Sequence, residues 1–135
     1  MAATPLVPIM LDSFPALNQH ISLTPEQLLT NGELIAIVDD DKSITEPLSE
    51  FFGLHGLRSE QRSTAADLMQ LLRGDKVALV ILDIGLPDTD GVTLIPQLVD
   101  QYPDLAIIML TGVADLQVAL DCIRKGADDY LSKPV

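Results

Sequence analysis

The chain has 135 residues and 47% apolar content, enough for one domain with a packed core, which argues against disorder throughout. Eight Lys and Arg against 20 Asp and Glu give a formal charge of −12, which repels phosphate backbones and anionic headgroups and argues against nucleic acid or a membrane surface as partner. A single cysteine, no Lys or Arg before Lys42 and no apolar run of membrane-span length lead to the expectation of a cytoplasmic protein in a reducing compartment.

Residues 1–33 read as an extension, because four prolines (Pro5, Pro8, Pro15, Pro25) and scattered apolar residues give no core element. Thr24-Pro25-Glu26-Gln27 predicts one short helix there: Thr24 caps, Pro25 suits the first helical position, Gln27 reaches back, and Asn31-Gly32 ends it. Leu6, Ile9, Leu11 and Phe14 are among too many apolar residues for a solvated tail. The extension is therefore expected to dock on apolar surface or to pair two chains as a homodimer.

From Leu34 onward, short aliphatic runs alternate with amphipathic stretches, the pattern of a parallel sheet covered on both faces. The first strand is Leu34 to Val38. Ser43-Ile44-Thr45-Glu46 is a capping box opening a helix whose inner stripe is Ile44, Leu48, Phe51 and His55, with Pro47 in its first turn. A second strand near Leu57 to Gln61 carries alternating charge and is expected at an edge. A helix from about Thr64 to Arg73 follows, with Gly74 as its stop.

The third strand, Val77 to Leu82, is continuously apolar, as a central strand should be, and runs into Asp83. Helix three follows Gly91 and reaches Gln101, with Pro96 expected to bend or weaken it. Strand four is Ala106 to Leu110, ending in Thr111. Helix four, Ala114 to Lys125, carries Cys122 on its apolar stripe as a buried structural thiol and stops at Gly126. Strand five is Asp129 to Ser132, followed by Lys133 and Pro134.

Asp39 and Asp40, Asp83, Thr111 and Lys133 thus stand at the carboxyl ends of four different strands, where open parallel sheets bind ligands. Two anions at roughly 4 Å and an effective dielectric near 20 repel by about 4 kcal/mol, so the acids gathered there need a compensating charge. Mg²⁺ takes oxygen ligands, keeps several waters and is held by one or two carboxylates plus phosphate oxygens. The Thr111 hydroxyl and Lys133 ammonium suit the oxygens of a phosphoryl group, and Asp83 suits the nucleophile that would form an aspartyl phosphate. Singly, each has an ordinary reading: Asp83 as a turn former, Thr111 as a helix cap, Lys133 as a surface cation. Their joint placement favours the site, with Asp41 a solvated neighbour.

The strings IAIVDDD, LVILDIGLPDTDG, IIMLTG and ADDYLSKPV, whose spread takes in nearly everything from Leu34 to Val135, resemble the response-regulator receiver domains of two-component signalling. The resemblance implies a CheY-like, doubly wound five-stranded parallel sheet of order 2-1-3-4-5. It implies Asp83 as the phosphoacceptor, Asp39 and Asp40 as the acidic pair holding Mg²⁺ (Asp40 more directly, Asp39 partly through water), and Gly85 as a backbone carbonyl ligand. Thr111 and Lys133 would bond phosphoryl oxygens, Tyr130 would be the aromatic switch coupled to Thr111 or, as the competing reading, a packing aromatic of the core, Pro87 and Gly91 would shape the loop after strand three, and the bond before Pro134 would be cis. The implied partners are a histidine kinase or phosphotransfer protein and an output domain beyond residue 135. The implied role is that of a phosphoacceptor regulatory domain assisting its own phosphorylation and dephosphorylation, not an enzyme on a separate substrate.

Three departures accompany the resemblance. The final helix of the pattern does not follow Val135, Gly85 and Val113 offer no polar side chain beside the phosphoryl site, so the phosphate lifetime is not expected to be especially short, and residues 1–33 fall outside the pattern. An Asp-based phosphohydrolase would want a second acid where Gly85 stands, and a flavodoxin-like nucleotide binder would want a Gly/Ser/Thr-rich loop where the carboxylates stand. A phosphorylation-independent interaction module is the remaining rival. His20 and His55 lack partners at metal-ligand spacing and read as non-catalytic.

Overall fold

A computed structural model describes residues 34–54, 56–111 and 116–132. The expected extension and its short helix, His20, His55, Val113, Ala114, Lys133 and Pro134 lie outside the described residues. The described elements are β1 (Leu34–Val38), α1 (Lys42–Leu54), β2 (Ser59–Arg62), α2 (Ala65–Gly74), β3 (Val77–Asp83), α3 (Gly91–Gln101), β4 (Ala106–Thr111), α4 (Leu116–Lys125) and β5 (Asp129–Ser132).

All strand pairs are parallel and the order is β2-β1-β3-β4-β5, as the resemblance implies. The pleat sorts the aliphatic runs between two cores. Ala36, Val38, Val80, Leu82, Ile107 and Met109 pack with Leu68 and Leu72 of α2, Leu94, Ile95 and Leu98 of α3, and Cys122 of α4. On the other face Ile35, Ile37, Leu79, Ile81, Ile108 and Leu110 cluster with Phe52 of α1. A strand buried on both faces has no use for polar residues, which is why β1, β3 and β4 read as unbroken aliphatic runs.

The inner face of α1 differs from expectation: Phe52 is 1% exposed and Phe51 42%. At 100° per residue, Thr45, Leu48 and Phe52 fall within about 60° of one another, and Phe51 lies on the flank of that stripe. The cap differs too. Asp41, not Ser43, caps α1: its Oδ1 accepts from the Ser43 N–H at 2.9 Å and the Ser43 hydroxyl at 2.6 Å. The helix therefore starts at Lys42, which moves Pro47 from the first turn into the second. Gly56, at φ 76°, ends α1, with Gly56 N–H donating to Gly53 and Leu57 N–H to Phe52. That turn spends Leu57 on the core, so β2 begins two residues later than expected, at the sheet edge.

Thr64 caps α2 through its side chain, but Gly74 is the last helical residue rather than the stop; Asp75 closes the helix in extended conformation. Pro96 lies inside α3, which continues to Gln101. Gly126, at φ 119°, ends α4 as expected, with its N–H on Ile123 and that of Ala127 on Cys122. Cys122 is fully buried, and burial, reinforced by the Asp121 and Asp90 charges, pushes its thiol pKa up. At the amino edge of the sheet the buried Asp128 both donates from its N–H to the Ile107 carbonyl and accepts the Ile107 N–H on Oδ2 at 2.7 Å, fixing the start of the β4–β5 pair.

Candidate functional site

β1 is followed by α1 on one face of the sheet, and β3, on the other side of β1, is followed by α3 on the opposite face. The crevice at the carboxyl ends of β1 and β3 is the point where strand order reverses, the usual ligand position in such sheets. Val38 pairs with Leu82, so the next residues, Asp39 and Asp83, emerge beside each other. One oxygen from each of Asp39, Asp40 and Asp83 lies within 4.8 Å of the others.

Their environments differ. Asp39 is 2% and Asp83 6% exposed, while Asp40 faces solvent. Asp39 Oδ1 accepts the Asp41 N–H at 3.0 Å, a turn that folds the acidic run back on itself. Two buried carboxylates and one exposed carboxylate, all oxygen donors, are the ligand chemistry of a hard divalent ion and do not suit a soft one.

Thr111 ends β4 and is buried, one residue beyond Leu110, the partner of Asp83. Tyr130 pairs with Met109 and is half-buried against the core that holds α2, α3 and α4. Gly85 is exposed and forms an antiparallel bridge with Asp90. The structure thus gathers Asp39, Asp40 and Asp83 into one cluster and sets Thr111 one strand away, while Lys133 falls outside the described residues.

The loop after Asp83 is closed at its base by the Gly91 N–H, which donates to the Ile84 carbonyl at 2.6 Å. A Cβ on Gly91 would lie 2.4 Å from the Asp83 carbonyl oxygen, so this approach needs glycine. Asp90 caps α3, with Oδ1 accepting from Val92 N–H at 2.9 Å. Asp88 reaches across to α2: its Oδ1 and Oδ2 accept the N–H groups of Ala65 and Ala66 at 2.9 and 3.0 Å. These bonds, that to Ala65 first, hold the Asp88 carboxyl below its ordinary pKa. Sequence reasoning missed both acids. Asp90 had a local signal, an acid just before the Gly91-Val92-Thr93 helix start; Asp88 had none, because its partners are 22 and 23 residues away.

Comparison with known proteins places this geometry. The family model described as "Response regulator receiver domain" matches residues 35–135. The chain is 35% identical over 98 residues to the DNA-binding transcriptional regulator NtrC of Proteus hauseri, covering 73% of this chain and 21% of that protein. It is 39% identical over 107 residues to the transcriptional regulatory protein GltR of Pseudomonas aeruginosa, covering 77% and 44%. The chain therefore spans less than half the length of these curated relatives. Among solved structures, a response regulator protein from Burkholderia pseudomallei with a phosphorylated aspartic acid, calcium ion and citrate superposes with a TM-score of 0.71 at 28% identity, covering 76% of this chain and 61% of that one.

Proposed function

The chain belongs to the response regulator receiver domain family of two-component signalling, and from that premise we propose that it accepts a phosphoryl group on Asp83 with the help of Mg²⁺. The observation that carries the reading is the convergence of Asp39, Asp40 and Asp83 within 4.8 Å. The phosphorylated aspartate and cation of the Burkholderia pseudomallei relative support it by analogy.

In this reading Asp39, Asp40 and Asp83, with the Gly85 backbone carbonyl, hold the metal, Asp40 directly and Asp39 partly through water. When bound, Mg²⁺ offsets the carboxylate repulsion and the charge on the phosphoryl oxygens. A carboxylate oxygen of Asp83 attacks the phosphorus of a phosphohistidine. The new P–O bond forms as the P–N bond breaks, and the leaving imidazole nitrogen keeps the electron pair. Thr111 donates its hydroxyl to one phosphoryl oxygen and Lys133 pairs with another. Because Thr111 is the last residue of β4 and the β4–β5 pair carries Tyr130, a shift of the hydroxyl toward Asp83 is passed to Tyr130 and the α4–β5 face.

The donor in this reading is a histidine kinase or phosphotransfer protein. The recipient of the signal is an output domain beyond residue 135, as the length of the curated relatives supports. Residues 1–33 form an extension outside the receiver unit, the setting is the cytoplasm, and the chain is a phosphoacceptor rather than an enzyme on a separate substrate. No described helix is long and apolar enough to cross a membrane.

The test is an amide NMR titration with Mg²⁺ and then beryllofluoride. Saturable shifts at residues 39–41, 83–85 and 111, with further change at Tyr130, are expected. A spectrum indifferent to both ligands would leave a phosphorylation-independent interaction module in its place.

A further inference from the structure

The first turn of an α-helix leaves N–H groups without intrahelical partners, and at α2 those of the first three helical residues, Ala65, Ala66 and Asp67, have identified acceptors. The Asp67 N–H donates to the Thr64 hydroxyl at 3.1 Å, and Leu68 N–H begins the helical pattern on the Thr64 carbonyl. The remaining two, on Ala65 and Ala66, are taken by the two oxygens of Asp88. Thr64 alone could cap the helix in the ordinary way. The second capping group, Asp88, arrives from the loop that follows the candidate phosphoacceptor.

Two parallel bonds, one to each carboxylate oxygen, fix both the position and the plane of the Asp88 side chain. Its anchor is firm, because Ala65 and Leu68 of α2 are buried in the same core as Val38 and Leu82, the residues just before Asp39 and Asp83. The positive end of α2 adds a favourable field for the carboxylate. The loop itself has little slack. Its base is closed between Ile84 and Gly91 and between Gly85 and Asp90, and Pro87, with its fixed φ, directly precedes Asp88.

We propose that Asp88 is a positioning residue for the acidic site: its two-oxygen clamp on the first turn of α2 holds the loop after Asp83 in the conformation that presents the Gly85 carbonyl to a bound cation. This rests on the reading of Asp39, Asp40, Asp83 and Gly85 as a metal site. Gly85 has no side chain to anchor it and is exposed, so its carbonyl direction is set by what holds the loop around it: the bridge to Asp90, the buried Leu86 and the Asp88 clamp. Among the described residues, Asp88 hydrogen-bonds the loop tip to α2, while Leu86, next to Gly85, is buried in the core that holds α2. Asp88 touches no reacting atom; it acts through Gly85.

The experiment compares Mg²⁺ titrations of the full chain followed by amide NMR, together with thermal melts, for wild type, Asp88→Ala, Asp88→Asn and Thr64→Ala. Thr64→Ala removes the local cap of the same helix and leaves the clamp, so it reports what a purely structural loss does. The expected result is Mg²⁺ binding weakened about tenfold in Asp88→Ala, the scale typical of residues that orient a metal ligand. Asp88→Asn, which keeps one acceptor oxygen, should fall between, and Thr64→Ala should bind as wild type despite a lowered melting temperature. Wild-type affinity in folded Asp88→Ala, or equal weakening in Thr64→Ala, overturns the positioning role and leaves the metal site standing. A wild-type chain that binds no Mg²⁺ overturns the metal reading and the proposal together.

Discussion

Val38 and Leu82 stand opposite each other in neighbouring parallel strands, and this single register fixes where Asp39 and Asp83 leave the sheet. A slip of one residue would turn one acid toward a core. The site is thus assembled by the aliphatic runs that precede it, and its charge is tolerated because those runs bury well.

The first prediction concerns that charge. In metal-free protein, Asp83→Asn removes one member of a repelling cluster and is expected to stabilise the fold by about 1–3 kcal/mol, less than the about 4 kcal/mol of a unit-charge pair at roughly 4 Å and effective dielectric near 20, because solvent at the exposed Asp40 screens the repulsion. Urea unfolding in the presence of a chelator checks it. Added Mg²⁺ should stabilise wild type more than the variant.

The second concerns Gly91. Its missing Cβ would lie 2.4 Å from the Asp83 carbonyl oxygen and 3.0 Å from Ile84 Cα, both backbone atoms that cannot swing aside. Gly91→Ala is expected to cost about 1–3 kcal/mol, as overpacking does, and to shift the amide resonances of Asp83 and Ile84. Gly53, which has open space around it, should accept alanine with little change.

The third separates two adjacent aromatic residues. Phe52 is 1% exposed and Phe51 42%. Phe52→Ala should cost about 3–5 kcal/mol, while Phe51→Ala should stay near the small values of surface changes, about 0.5–1 kcal/mol. Denaturant midpoints of the two variants check the contrast.

The fourth is a pH dependence. The Ala65 and Ala66 N–H groups lower the Asp88 pKa from its ordinary value of 3.8. A carboxyl whose folded pKa is depressed adds stability that is fully present above its unfolded pKa and is lost as pH falls through the lower folded value. The stability difference between wild type and Asp88→Asn should therefore be constant near neutrality and shrink as pH falls below that ordinary value. A difference that grows toward low pH would contradict the clamp.

The fifth lies at the far edge of the sheet. Asp128→Ala leaves the buried Ile107 N–H without its 2.7 Å side-chain acceptor. The expected cost is about 1–3 kcal/mol. Mg²⁺ affinity should not change, because Asp128 precedes β5 while the acids follow the opposite strand ends.

The central strands and the acids that end them were legible in the sequence, because β1, β3 and β4 are buried on both faces and read as continuous aliphatic runs bounded by polar residues. Edge strand β2 was less so, since its Ser59–Arg62 run is polar and its start depends on a helix-ending turn at Gly56. The rotation of α1 was hidden because two adjacent Phe residues fit almost the same stripe. Asp41 and Asp88 were misread or missed for one reason: a cap is defined by which N–H it meets, and for Asp88 those N–H groups belong to a helix 22 residues earlier.

The most direct measurement is phosphoryl labelling of the chain by a phosphorylated histidine kinase, with Mg²⁺ or with a chelator, in wild type and Asp83→Asn. The account predicts one acid-labile, hydroxylamine-sensitive acyl phosphate per wild-type chain, located at Asp83 and dependent on Mg²⁺. Label that persists in Asp83→Asn, or forms equally well in chelator, would contradict it.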